Sequence, residues 1–213
     1  MFGRYPMALN DITTQGAPIM LDDAIFSRRT VRSFLPKPVP QEILEKVIKA
    51  GFASPSPLNS QPWYFIVVTG KERDDLVKII RKFPAYLADI LALYPKEISE
   101  SASLSEEYIS SFAKNVGGAP VIIFPTIPKK TNRYAYKVDI IACASAIQNM
   151  QLTAWSLGLG TVCLTSALWV ETEIMAYLGL KDRELVTVMP IGYRESDPKP
   201  TSRNNANVTW IGF

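Results

Sequence analysis

Residues 136–164 read YKVDIIACASAIQNMQLTAWSLGLGTVCL, and the order of elements within this stretch decides the class of fold. After Lys137, the segment up to Leu157 carries a single charge, Asp139, and is otherwise mostly apolar or small, as expected of an internal helix. Gly158 follows as a left-handed C-cap, and Thr161-Val162-Cys163-Leu164 then reads as a short strand. Gly158-Leu159-Gly160 superficially matches a dinucleotide-binding fingerprint, but that fingerprint follows a strand and opens a helix. Here the helix comes first, so the fingerprint is rejected. The stretch fits an α+β protein in which helices wrap a small sheet.

Working outward, Trp63-Tyr64-Phe65-Ile66-Val67-Val68 is a continuous apolar run closed by Gly70 and reads as a buried strand. Val121-Ile122-Ile123-Phe124, bounded by Pro120 and Pro125, reads as a second. Glu184 to Ile191, ending at Gly192, reads as a fourth, and Val208-Thr209-Trp210-Ile211 as an edge strand pairing in this chain or on a partner. Helices are expected over 20–27, from Pro40 onward with Ile43, Leu44, Val47 and Ile48 on one face, over 71–82 and over 171–178. Arg28 to Phe34 is basic and β-branched and reads as extended. Residues 1–18 read as an arm and 19–213 as one domain, within which 83–118 carries helical patches with Tyr86, Tyr94 and Tyr108.

Composition removes whole classes of chemistry. The chain has 213 residues, 47% of them hydrophobic and 20% charged, which fits a folded globular domain. It has no histidine, so Ser-His-Asp and Cys-His catalysis and imidazole-bound zinc are excluded. Two cysteines, Cys143 and Cys163, are too few for a four-thiolate metal site or a disulfide framework. With 23 basic and 20 acidic residues, the net charge of +3 points to neither nucleic acid nor an anionic membrane. The first residues, with Arg4, Pro6, Asn10 and Asp11, contain no apolar signal core, and no stretch approaches the ~18 apolar residues of a membrane span. A cytoplasmic protein is expected.

Two constellations are suited to holding a ligand. Arg28, Arg29 and Arg32 lie within five residues, and an extended backbone puts 28, 30 and 32 on one face, so two guanidinium forks and the Thr30 hydroxyl converge. That set suits a phosphate. Charge runs in general are solvated, so the cluster on its own reads first as a basic turn. In Ser54-Pro55-Ser56-Pro57-Leu58-Asn59-Ser60-Gln61-Pro62-Trp63, Pro62 biases Gln61 toward extended geometry and presents the Asn59 and Gln61 amides together. Amides both donate and accept, so they can read a ring edge that alternates carbonyls with N–H groups. An ordinary loop feeding a strand is the equal alternative. Arg203, near Lys199 in a polar tail, completes an anion site or sits in solvent. Asp74-Asp75 and Glu106-Glu107 diverge by about 100° on a helix and make no catalytic carboxylate pair. P-loop and nucleophile-elbow spacings are absent.

Taken in order, five segments resemble the FMN-dependent nitroreductase family over about Met20 to Arg203. They are Arg28-Arg29-Thr30-Val31-Arg32, the helix after Pro38-Val39-Pro40, Ser54-Pro55-Ser56 with Asn59-Ser60-Gln61-Pro62-Trp63, Gly158-Leu159-Gly160-Thr161, and Pro190-Ile191-Gly192-Tyr193. The resemblance implies a central, mostly antiparallel sheet wrapped by helices and an intertwined homodimer, with FMN held between subunits. It implies that Arg28, Thr30 and Arg32 hold the phosphate, ribityl chain and pyrimidine edge. Arg203 matches the C-terminal phosphate ligand, and Pro55, Ser56 and Asn59 match a loop supplied by the partner. Leu164, Thr165 and Ser166 match a segment along the flavin rings, one of whose amides bonds the redox-active nitrogen, and Gln61 and Arg29 are further contacts.

The implied reaction passes a hydride from NADH or NADPH to FMN and then reduces a small-molecule acceptor, a nitroaromatic, a quinone or a related electrophile, by two electrons. Such chemistry belongs to the flavin and requires no side-chain nucleophile, in keeping with a histidine-free chain. Thr165, Ser166 and Thr201 depart from the family pattern, and 83–118, expected to cover the flavin, matches nothing in it. Alternatives are a specialised relative, a dehalogenase or a flavin-consuming synthase, or a non-catalytic FMN-binding or sensing dimer.

Overall fold

The computed structural model describes residues 20–96, 105–201, 203 and 207–212. The expected arm at 1–18 and the centre of the helical insert, 97–104, lie outside the described residues. In chain order, α1 spans Leu21–Ser27, α2 Gln41–Phe52, β1 Tyr64–Thr69, α3 Gly70–Ile80, α4 Leu87–Ala92 and α5 Glu106–Asn115. There follow β2 Val121–Pro128, α6 Arg133–Ser156, β3 Leu159–Thr161, α7 Glu171–Leu178, β4 Arg183–Leu185 and β5 Met189–Tyr193. The strands form one sheet in the order β1-β2-β5-β3, with β4 also paired to β2, and every ladder is antiparallel.

β2 is the axis of the molecule. Its side chains alternate between two cores: Ile122 and Phe124 join Leu76, Ile80, Phe83 and Trp155 on one face, while Val121, Ile123 and Ile127 join Val47, Met150, Leu159 and Ile191 on the other. Burial on both faces explains why the strand reads as an unbroken apolar run rather than an alternating one. β1 is the correction to the expectation of a buried strand. It is a sheet edge, and Tyr64 and Val67 are exposed.

β2 also runs through Pro125, which was expected to end it. Val121 to Ile123 pair with β5 and Thr126 to Pro128 with β4, so Pro125 faces the gap between those two strands, where its carbonyl accepts from the Val186 N–H. A residue with no N–H costs nothing there. The same gap corrects the single strand expected over 184–191, which is two strands joined by 186–188. Residues 207–212 form no strand in this chain, where an edge strand was expected at 208–211.

α6 ends as expected, with Gly158 at φ +78°. Its burial is one-sided: Ala142, Cys143, Ala146, Met150 and Ala154 face the core, while Tyr134, Ile141, Ala144 and Gln148 are exposed. The helix is therefore not wrapped on all sides within one chain. The strand expected at 161–164 lies earlier, at 159–161, where it pairs with β5 on one side and borders the segment 30–35 on the other. Thr30 bridges Thr161 in parallel, and the Val31 N–H donates to the Thr161 carbonyl at 3.0 Å. Only a residue without a side chain fits beside Val31: a Cβ on Gly160 would lie 2.6 Å from the Val31 Cβ and Cγ2.

Candidate functional site

Residues 28–35 leave the C-terminus of α1 and are fixed along their length by backbone contacts. Beyond Thr161, the Phe34 N–H donates to the Gly117 carbonyl at 3.0 Å and the Leu35 N–H to the Tyr193 carbonyl at 2.9 Å. Gly117, at φ +69°, passes so close that a Cβ there would overlap the Arg32 carbonyl. Val31 is 1% exposed, whereas Arg28, Thr30 and Arg32 stay partly open, as the period of an extended segment requires. The start is held from behind. The Trp155 Nε1–H donates to the Ser27 Oγ at 2.7 Å, and the Arg194 guanidinium lies 3.9 Å over the Trp155 ring.

Electrostatics show which cations meet. Burial lowers the pKa of Arg28; the Cys163 thiol opposes this, and Arg203 and Arg29 add to it by repulsion. Arg203, 175 positions away in sequence, is thus brought to Arg28, and its Nη1 donates to the Thr201 Oγ1 at 2.6 Å. Arg29 turns back to donate to the Phe26 carbonyl at 2.7 Å and its neighbour's at 2.9 Å, capping α1 while adding its charge beside Arg28. Cations gathered at a half-buried position, where burial first and their repulsion after it disfavour the charge on Arg28, form a site that a phosphate dianion would relieve.

Cys163 lies in the same place, and no sequence signal pointed to it. Burial pushes its thiol up and Arg28 opposes the shift, while burial pushes the Cys143 thiol up to about 12. Both thiols are protonated at neutral pH and serve as packing groups. Of the segment 164–166, the Leu164 amide is spent on the Val188 carbonyl at 2.8 Å. Thr165 and Ser166 begin the 3-10 turn Thr165–Val170, so their amides have no acceptor within it and are the ones able to meet a ligand. The insert is fastened to this turn by a Tyr86–Trp169 stack, with ring centroids 5.4 Å apart, and the residue just before it, Lys82, pairs with Glu173 on α7.

The loop of residues 54–62 is built differently. Leu58, Asn59 and Gln61 hold φ of 53°, 54° and 44°, a left-handed backbone that costs a side-chain-bearing residue about 1–2 kcal/mol. Internal hydrogen bonds maintain it: the Gln61 N–H donates to the Ser56 Oγ at 3.0 Å and the Gln61 amide to the Asn59 Oδ1 at 3.1 Å. The Asn149 amide donates to the Ser54 Oγ at 2.8 Å, and an Arg183 N–H donates to the Pro62 carbonyl at 2.7 Å. Among the described residues, no hydrogen bond joins the loop to Arg28, Thr30 or Arg32. One chain therefore brings Arg28, Arg29 and Arg203 together, with Thr30 and Arg32 on the same segment, while the hydrogen bonds of Ser56, Asn59 and Gln61 stay within their own loop. A groove of about 980 Å³ between α2, β1 and the start of α3, lined by Leu44, Ile48, Val67 and Arg73, contains none of these residues.

Comparison with known proteins places this arrangement in a wider group. The sequence model of the Nitroreductase family matches residues 25–193. A Bacillus subtilis (strain 168) protein assigned by name to the NAD(P)H nitroreductases, YfhC, is 28% identical over 188 residues, covering 86% of this chain and 89% of its own. Iodotyrosine deiodinase of Danio rerio is 27% identical over 184 residues, 81% of this chain and 59% of its own. Among solved structures, a BluB-like flavoprotein of Clostridium difficile 630 superposes with a TM-score of 0.68 at 25% identity, over 91% of this chain and 99% of its own. A variant of an FMN and NADPH-dependent nitroreductase from Sphigopyxis sp. strain HMH superposes with a TM-score of 0.74 at 21% identity, over 92% and 100%. Among the described residues, no helix is long and apolar enough to cross a membrane, and no group of histidine, cysteine or carboxylate side chains is placed to hold a metal ion.

Proposed function

The chain belongs to the nitroreductase family, and from that premise we propose that it is an NAD(P)H-dependent FMN oxidoreductase reducing nitroaromatic, quinone or related electrophilic acceptors by two electrons. The observation that carries the reading is the convergence of Arg28, Arg29 and Arg203, with Arg28 partly buried on the segment that also carries Thr30 and Arg32, a concentration of positive charge that a phosphate dianion would offset. FMN, when bound, supplies the redox chemistry, accepting a hydride from the nicotinamide and delivering two electrons to the acceptor. The family name and the relatives named for NAD(P)H and flavin support the donor and the cofactor.

The chain's own residues bind and orient. Arg28 and Arg203 hold the phosphate with charge-assisted hydrogen bonds, Arg29 reinforces their charge, and Thr30 offers a hydroxyl. Arg32 places a cation farther along the segment, where negative charge on a flavin ring edge is stabilised. The amides of Thr165 and Ser166 face the ring system beside Leu164. The domain is 19–213, with 83–118 as the cover whose Tyr86–Trp169 stack adjoins this turn.

Pro55, Ser56, Asn59 and Gln61 act on the site of a second chain, so the working unit is a homodimer. Three features support that assembly. The hydrogen bonds of Ser56, Asn59 and Gln61 stay within their own loop, α6 carries an exposed stripe with Tyr134 and Ile141, and β1 presents an unpaired sheet edge. A donor and an acceptor that use one face in turn predict ping-pong kinetics.

The iodotyrosine deiodinase relative supports a second reading, in which the acceptor is a halogenated aromatic and reduction expels halide. One set of measurements separates the readings. Anaerobic addition of NADH or NADPH to the FMN-loaded protein should bleach the flavin band, and an acceptor screen should then restore it with nitroaromatics and quinones. Recovery only with halogenated phenols, accompanied by halide release, selects the second reading. A flavin that neither nucleotide bleaches contradicts both and leaves a binding or sensing dimer.

A further inference from the structure

We propose that Arg183 is a positioning residue for the loop of residues 56–61, acting on an FMN site through the Pro62 carbonyl without touching the cofactor. The inference rests on the reading that Pro55, Ser56 and Asn59 complete the site of a second chain. The β1/β2 ladder begins at the pair Tyr64 and Thr126, so the backbone at Pro62 lies beyond the last ladder partner. Arg183, on β4, supplies what the ladder does not. Its Nη2 donates to the Pro62 carbonyl at 2.7 Å and to the Thr126 carbonyl at 3.0 Å, and its Nε donates to the Thr126 Oγ1 at 2.8 Å. The Thr126 hydroxyl in turn donates to the Tyr64 carbonyl at 3.0 Å. One guanidinium thereby fixes both the first rung of the ladder and the carbonyl next to Gln61.

The group is itself held in place. Its guanidinium carbon lies 5.3 Å over the Tyr64 ring, which limits rotation of the fork. Pro62 and Trp63 are buried, so the end of the loop attached to β1 cannot shift without displacing core. The other end is tied by the Asn149–Ser54 hydrogen bond to α6. Between two fixed ends, the left-handed residues Leu58, Asn59 and Gln61 have no room to relax toward ordinary backbone, and Ser56 and Asn59 are presented in one arrangement. An ammonium group at position 183 could reach the carbonyls that Nη2 serves but, as a point donor, could not also hold the Thr126 hydroxyl through a second nitrogen of a rigid fork.

The test uses apoprotein titrated with FMN, read by quenching of flavin fluorescence, alongside thermal unfolding without FMN. Arg183→Met is expected to bind FMN roughly tenfold more weakly, the loss expected when a buried carbonyl loses a charged donor, and Arg183→Lys to recover part of that loss. Mixed dimers of Arg183→Met with Arg28→Ala distinguish positioning from a general weakening of the fold. Such a dimer pairs one intact arginine cluster with one intact loop and should bind one FMN per two chains at wild-type affinity. Should the Met variant fail to fold, Arg183→Lys carries the same comparison. Wild-type FMN affinity in folded Arg183→Met, or lost affinity that mixing does not restore, overturns the inference. Wild-type affinity in Arg28→Ala instead overturns the reading of the FMN site on which the inference stands.

Discussion

Residues 28–35 and residues 54–62 both leave a helix as largely irregular backbone, and both carry the polar side chains assigned to a ligand, yet they are fixed by opposite means. The first is held by close packing. Val31 is 1% exposed, glycines at 117 and 160 open room for it, and its backbone hydrogen bonds run to β3, β5 and the Gly117 turn. The second is exposed and strained, and depends on side chains reaching it from Asn149 and Arg183. On the proposed reading, a segment that serves a ligand in its own chain can be built into the core, whereas one that would reach a neighbouring chain has to project, and its shape is then held between anchors at its two ends.

Changes to the packed segment should have the largest effects. Gly160→Val drives a side chain into Val31 and should destabilise the protein by about 3 kcal/mol, measured by urea unfolding, with FMN binding lost at the same time. Arg28→Ala should leave apoprotein unfolding nearly unchanged but weaken FMN binding by about 2–3 kcal/mol, roughly 30- to 150-fold in a fluorescence titration. If both segments were equally rigid, changes of similar chemistry would cost alike in each, and these two would not stand apart.

Part of this contrast was legible in the sequence. Arg28 to Arg32 and Gly158 to Thr161 stood out by residue type and spacing, and α2 and α7 by their apolar periodicity, but Gln61, expected to be extended ahead of Pro62, is left-handed at φ 44°, where its N–H reaches the Ser56 Oγ and its amide the Asn59 Oδ1. What the sequence left out follows from tertiary pairing. β1 and β2 read alike as apolar runs, and only sheet order makes one an edge and the other the centre. Pro125 reads as a stop until the gap between β4 and β5 lies opposite it. The approach of Arg203 to Arg28 spans 175 positions and was reached only through the family resemblance, and the hold of Arg183 on Pro62 joins segments 121 positions apart, so neither leaves a local pattern.

Smaller changes sharpen the comparison. Ser27→Ala leaves the Trp155 Nε1–H without its acceptor and should cost about 1–2 kcal/mol of stability, with a change in tryptophan emission that reports loosening behind Arg28. Leu58→Gly should have the smallest effect. The Leu58 side chain is fully exposed at 103%, so glycine loses no core contact and relieves the left-handed backbone. Relief less the added chain entropy should leave the apoprotein about 0.5 kcal/mol more stable by thermal unfolding. Destabilisation would show that the loop is not strained.

The most direct test compares FMN with riboflavin, which differ only in the phosphate, by titrating each into wild-type apoprotein and into Arg28→Ala. The wild type should bind FMN far more tightly than riboflavin, and the difference should largely disappear in Arg28→Ala while riboflavin binding is unchanged. Equal affinity for the two flavins in the wild type, or a preference for FMN that survives loss of Arg28, would contradict the assignment of the arginine cluster as the phosphate site.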